Sequence, residues 1–123
     1  MLDASAALAV LADEPGAKQL IPHLGDAVMS TVNLAEVQGK LMGWGMSEVT
    51  ATAAIIRVVS EFLPLDFSQA VYAGSLIPQT RALGLSLGDR CCLALAFHLK
   101  APAYTTDKAW KSLKLGFPIH VVR

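Results

Sequence analysis

Short apolar runs alternate along this chain with longer stretches in which apolar residues return every three or four positions. The runs are Met1-Leu2, Ala27-Val28-Met29, Phe62-Leu63-Pro64-Leu65, Ala103 to Thr106 and Ile119 to Val122. Brief and without polar alternation, they predict strands buried on both faces. The first is residual and ends at Asp3.

The periodic stretches predict helices. One covers residues 4–12, and a second opens on Asp13-Glu14-Pro15-Gly16, whose acids and proline suit a first turn. Ser30 or Thr31 caps a third, which runs to about Met42 and stops at Gly43 and Gly45. Ser47 caps the next, with Val49, Ala53, Ile56 and Val59 at helical spacing. Another starts at Asp66-Phe67-Ser68 and stops near Gly84. Ser86, with Asp89 three residues on, resembles a capping box for the helix through Leu99. A short helix spans Asp107 to about Leu113. Strand–helix alternation of this kind predicts an α/β fold, its parallel sheet covered by helices on both faces. Sites in such sheets form beyond the carboxyl ends of the strands.

At 123 residues the chain is expected to be one domain with its own core. Hydrophobic residues make up 54% and charged ones 16%, an apolar balance for a soluble protein. No run approaches the ~18 residues of a membrane span. The longest, Ala4 to Ala12, has no base ahead of it, which argues for a buried helix over a leader. The surplus of apolar residues is therefore expected to lie under a protein partner. Adjacent Cys91 and Cys92 read as small buried hydrophobes of a reduced, cytoplasmic protein, and the three histidines are scattered.

Ten acids balance ten bases, but the acids crowd residues 1–80 and the bases residues 81–123. Arg81, Arg90, Lys108, Lys111 and Lys114 could be ordinary solvated residues or a local phosphate-contacting rim. Zero net charge argues only against strong nonspecific binding to nucleic acid.

Four carboxylates fall where such a fold would gather its acids: Asp3 and Asp107 at strand ends, Asp89 at a helix start, and Glu36 inside a helix. Each has a bland alternative. Asp89 and Asp107 could be helix caps, and Lys40 could pair with Glu36 at i+4. Together, acids without matching bases would repel one another unless a hard divalent cation joined them. Ser5, Thr31, Asn33, Thr105 and Thr106 could then hydrogen-bond the carboxylates or a phosphate. Phosphate-cradling Gly-x-x-x-x-Gly-Lys-Ser/Thr, dinucleotide Gly-x-Gly-x-x-Gly and serine-hydrolase Gly-x-Ser-x-Gly motifs are all absent.

Four segments in order carry a family resemblance: Leu2-Asp3-Ala4-Ser5-Ala6, Ser30-Thr31-Val32-Asn33-Leu34-Ala35-Glu36-Val37, Leu85-Ser86-Leu87-Gly88-Asp89-Arg90 and Thr105-Thr106-Asp107-Lys108-Ala109-Trp110. Over essentially its whole length the chain resembles PIN-domain ribonucleases, specifically the VapC toxins of toxin–antitoxin pairs. The resemblance implies a three-layer α/β/α sandwich around a mostly parallel sheet of about four to five short strands. It implies Asp3, Glu36, Asp89 and Asp107 as the catalytic, metal-holding acids for Mg²⁺ or Mn²⁺, with Ser5, Asn33 and Thr106 supporting them. Arg90 and Lys108 are the candidate RNA contacts. The implied reaction is endonucleolytic RNA hydrolysis, the implied partners a VapB-like antitoxin and a second copy in a homodimer. A catalytically weakened module that only binds RNA or protein is the alternative. The chain departs from the family at its start, where only Met1 and Leu2 precede Asp3 in place of a longer apolar strand.

Overall fold

The computed structural model describes residues 1–123. Four strands form, all short: β1 (Val28–Ser30), β2 (Glu61–Leu63), β3 (Ala103–Thr105) and β4 (Ile119–Val121). β1 pairs in parallel with β2, Val28 opposite Glu61 and Ser30 opposite Leu63. β3 pairs in parallel with β4, Ala103 opposite Ile119 and Thr105 opposite Val121. The opening residues join the two pairs. Leu2 bridges Tyr104 in parallel, and its N–H donates to the Val28 carbonyl at 3.0 Å. On the other side, the Tyr104 N–H donates to Met1 at 2.7 Å and the Asp3 N–H to Tyr104 at 3.1 Å. The sheet therefore runs β2, β1, residues 1–3, β3, β4, matching the four to five short strands expected. Residues 1–3 take the central place.

Alternation across this sheet divides the core. Leu2, Met29, Phe62, Tyr104 and Val122 pack on one face with α1 (Ala4–Leu11), α3 (Thr31–Gly43) and α4 (Glu48–Val58). Met1, Val28, Leu63, Ala103, Ile119 and Val121 pack on the other with α7 (Leu87–Leu99) and Trp110. Cys91 and Cys92 are both free and buried, as small hydrophobes should be. No helix is long and apolar enough to cross a membrane.

Caps settle most helix starts. Side-chain oxygens of Ser30, Ser47, Asp66 and Ser86 accept backbone N–H groups at the starts of α3, α4, α5 (Phe67–Ser75) and α7. Two expected helices are shorter than predicted. The one expected to reach Gly84 stops at Ser75, followed by α6 (Ile77–Thr80) and a 3-10 turn over Arg81–Leu83. Pro78 lacks the N–H that would continue the ladder. The helix expected from Asp13 is only α2 (Ala17–Leu20), running into a 3-10 turn over Ile21–Asp26. Its N-cap is Gly16, left-handed at φ 98° and without a side-chain cap. The segment after Asp107 is likewise a 3-10 turn, Lys108–Ser112, anchored by fully buried Trp110.

Leu2, 2% exposed, is the more deeply buried of the two apolar side chains in the central segment. Leu2→Ala is expected to cost about 2–5 kcal/mol by urea denaturation; an unchanged midpoint would mean the opening residues are not docked between β1 and β3.

Candidate active site

The strands all run parallel, but their order reverses between residues 1–3 and β3: α1 packs on one face of the sheet, and Trp110 of the 106–112 segment on the other. In parallel α/β sheets such a switch opens a crevice beyond the strand ends. Asp3 sits there, 1% exposed. Its carboxylate accepts the Ala6 N–H at 2.8 Å, which caps α1. It also accepts the Ser5 hydroxyl at 2.7 Å and the Thr105 hydroxyl. Those hydroxyls in turn accept backbone N–H groups, Ser5 from Thr106 at 3.1 Å and Thr105 from Asp107 at 3.0 Å. Two short relays thus tie the loop after β3 to Asp3.

Burial is the main influence on Asp3 and pushes its carboxyl up to about 6. The three hydrogen bonds pull it back, and the like charge of Asp89 adds to the rise. Glu36 is also raised, first by desolvation and then by Asp89, against the opposing Asn33 hydrogen bond. Asp89 thus acts on both of the other acids. One oxygen of Asp89 closes the Ser86 capping box by accepting the Ser86 N–H at 2.8 Å, which leaves its other oxygen outside the cap. The bland reading of Asp89 and the functional one are therefore compatible.

Glu36 reaches this group from α3 through two features of its surroundings. Asn33, 1% exposed, donates from one amide nitrogen to Glu36 Oε1 at 2.9 Å and to the Gly88 carbonyl at 3.0 Å. Both partners are acceptors, which fixes the orientation of the amide. Gly88 gives the space: a Cβ there would fall 1.7 Å from Glu36 Oε1. The Glu36 partner is Asn33, not Lys40.

Asp107 stands apart. It is exposed, and its Oδ1 accepts the Ala109 N–H at 2.9 Å, capping the following turn. It lines a cavity of about 500 Å³ together with Ser5, Thr106, Lys108 and Arg123. No three acids, histidines or cysteines lie close enough in this arrangement to hold one ion. Asp3, Glu36 and Asp89 are electrostatically joined, and Asp107 meets them only through the Thr105 relay.

Two expectations need correction. Arg90 does not face the acids: its Nη1 donates to the Ala73 carbonyl of α5 at 3.0 Å, and its buried Nε has no partner. The guanidinium is thus half-buried and tied to α5. The hydroxyl supporting Asp3 from β3 is that of Thr105, not Thr106, because strand alternation turns neighbours to opposite sides. Thr106 contributes its backbone N–H and lines the cavity. Gly88 went unremarked in the sequence, although a glycine in a helix's first turn costs stability and so hints at a close approach.

The donor set suits a hard divalent cation. It consists of carboxylate and hydroxyl oxygens, with no thiolate or imidazole among them. Buried Asn33 Oδ1, unpartnered beside Glu36, adds an acceptor that a cation's water could satisfy.

A family model described as the PIN domain matches residues 1–115. The chain belongs to the PIN-domain family. PIN domains are generally nucleases that depend on divalent metals, a chemistry that fits this oxygen-rich crevice. This PIN domain is similar in fold to VapBC2 from Rickettsia felis bound to a promoter DNA fragment, with TM-score 0.72, 16% identity, and coverage of 98% of this chain and 96% of that one. It is also similar to a toxin–antitoxin complex from Klebsiella pneumoniae, at 0.69 and 17% identity over 91% and 90% of the two chains. DNA-bound VapBC from Salmonella typhimurium matches at 0.70 and 15% identity over 98% and 95%. No curated protein matches the sequence.

Without metal, folded Asp3 keeps its proton up to about pH 6, whereas the unfolded chain releases it near 3.8. Stability should therefore fall as pH rises from about 4 to 6 and level off above, by on the order of 3 kcal/mol. Carbon-detected NMR of the Asp3 carboxyl should report a midpoint near 6 that drops when Mg²⁺ is added. A midpoint near 4 in the metal-free protein would contradict the burial argument.

Proposed function

We propose that this PIN domain is a VapC-type toxin: an Mg²⁺- or Mn²⁺-dependent endoribonuclease restrained by a VapB-like antitoxin. The observation that carries the reading is the Asp3 carboxylate, buried, held by three hydrogen bonds and influenced by the like-charged Asp89. A charge buried this way costs stability unless a cation offsets it. Expending stability at one point of an otherwise well-packed fold is what a functional site does.

Asp3, Glu36 and Asp89 would hold the metal, with Asp107 at the edge of the crevice. Bound there, a divalent ion supplies charge neutralisation at a scissile phosphate and lowers the pKa of water. The chain's own residues do the rest. Ser5 and Thr105 fix the orientation of the Asp3 oxygens, Asn33 does so for Glu36, and the Ser86 cap does so for Asp89. Lys108, exposed on the cavity wall, would contact the RNA backbone.

Support for a protein partner comes from apolar side chains left in solvent. Trp44 is 56% exposed, Val49 79% and Ile56 62%, all at α4 or the end of α3. Such a surface is suited to a partner's apolar side chains, and the similar solved structures are toxin–antitoxin complexes. The reading places the protein in the cytoplasm, as a homodimer.

The purified chain, freed of any co-purifying partner, should cut a tRNA pool into discrete fragments with Mn²⁺ and leave it intact with EDTA. Asp89→Asn should lower the rate roughly 10²–10³-fold, since asparagine can still accept the Ser86 N–H and keep the helix start. Folded wild type that cuts no RNA under any metal condition would favour the binding-only module.

A further inference from the structure

The cavity beside Asp107 has no hydrophobic residue in its lining, and two of its five residues are cations, Lys108 and Arg123. Lys108 follows directly on Asp107, in the turn anchored by Trp110. Arg123 is placed by less obvious means. Its neighbour Val122, 5% exposed, donates its N–H to the Thr105 carbonyl at 2.9 Å. From the other side Gly16 packs so closely that a Cβ would meet the Val122 oxygen at 1.7 Å. Val122 is thus clamped between β3 and the start of α2, which sets Arg123 at the cavity rim.

The same cavity includes Ser5, whose hydroxyl supports Asp3. The basic wall therefore adjoins the acids. Acids in a crevice repel a polyanion, so a chain of phosphates approaching them needs countercharge beside the reacting position. An open cavity of about 500 Å³ lined by two cations, Lys108 and Arg123, one acid, Asp107, and two hydroxyl residues is large enough for a nucleotide.

We propose that Arg123 and Lys108 form an anion subsite for an RNA phosphodiester flanking the one presented to the acids. Arg123 grips two phosphate oxygens with its planar fork, and Lys108 acts as a point charge. The subsite rests on the ribonuclease reading of Asp3, Glu36 and Asp89, and names how the substrate is registered there.

Binding of a fluorescently labelled single-stranded oligoribonucleotide, followed by anisotropy in EDTA over a range of salt, tests it without needing cleavage. Arg123→Gln and Lys108→Gln should each weaken binding roughly tenfold. Each should also reduce the slope of log K against log salt by about 0.7. Arg123→Lys should keep the slope but regain only part of the affinity, since the charge returns without the fork. Both residues are exposed, so circular dichroism melting should be unchanged. Wild-type affinity and slope in the Gln variants would overturn the subsite while leaving the ribonuclease reading standing. A wild-type chain that binds no RNA in EDTA would overturn the subsite alone, since the ribonuclease reading is decided separately by cleavage with Mn²⁺.

Discussion

A carboxylate almost wholly removed from water, with no base beside it, is the constraint around which the rest of this molecule is arranged. Asp3 must be hydrogen-bonded because it is buried. The groups that bond it come from two places: the Ala6 N–H and Ser5 hydroxyl in the first turn of α1, and Thr105 at the end of β3. Each is fixed by its own element, and the two hydroxyls carry the connection on to the 106–107 backbone. The hydrogen-bonded network therefore does two jobs. It reduces the cost of burying the acid, and it sets where Asp107 and the cavity wall stand.

Asp3 can occupy this position because residues 1–3, although too few for a regular strand, are bonded to β1 on one side and β3 on the other. Helices then leave the neighbouring strands in opposite directions, and the crevice opens above the junction. α3 and α7 meet on its flank through Asn33, whose amide spans Glu36 and Gly88. Removal of the Gly88 Cβ lets a side chain from one helix cross the backbone of the other. Packing and site geometry are thus the same contacts seen from two sides.

Much of this could be read from the residues. The strand runs, the caps at Ser30, Ser47, Asp66 and Ser86, and the parallel α/β architecture follow from local chemistry that tertiary structure did not override. The four acids stood out in the sequence because their types and positions were unusual together; burial and like charge link Asp3, Glu36 and Asp89 in the fold. What escaped depended on non-local geometry. Nothing near Arg90 announces that the Ala73 carbonyl, from another helix, will take its guanidinium. The choice of Thr105 over Thr106 rests on a strand register that only the pairing with Leu2 fixes. Gly16 looked like part of a helix start, and its actual role, close approach to Val122, involves a residue 106 positions away in sequence. Asp107 resembled the other three acids in its sequence setting, yet it belongs to the cavity wall and stands off from them.

The central claim is that Asp3, Glu36 and Asp89 are gathered for one divalent cation, although the three do not close on a single point by themselves. Anomalous diffraction from crystals grown with Mn²⁺ locates such an ion directly. The account predicts a peak bounded by these three carboxylates, with Glu36 and Asp89 drawn inward and Asp3 little moved. A peak elsewhere, or none at this crevice at saturating Mn²⁺, would contradict it.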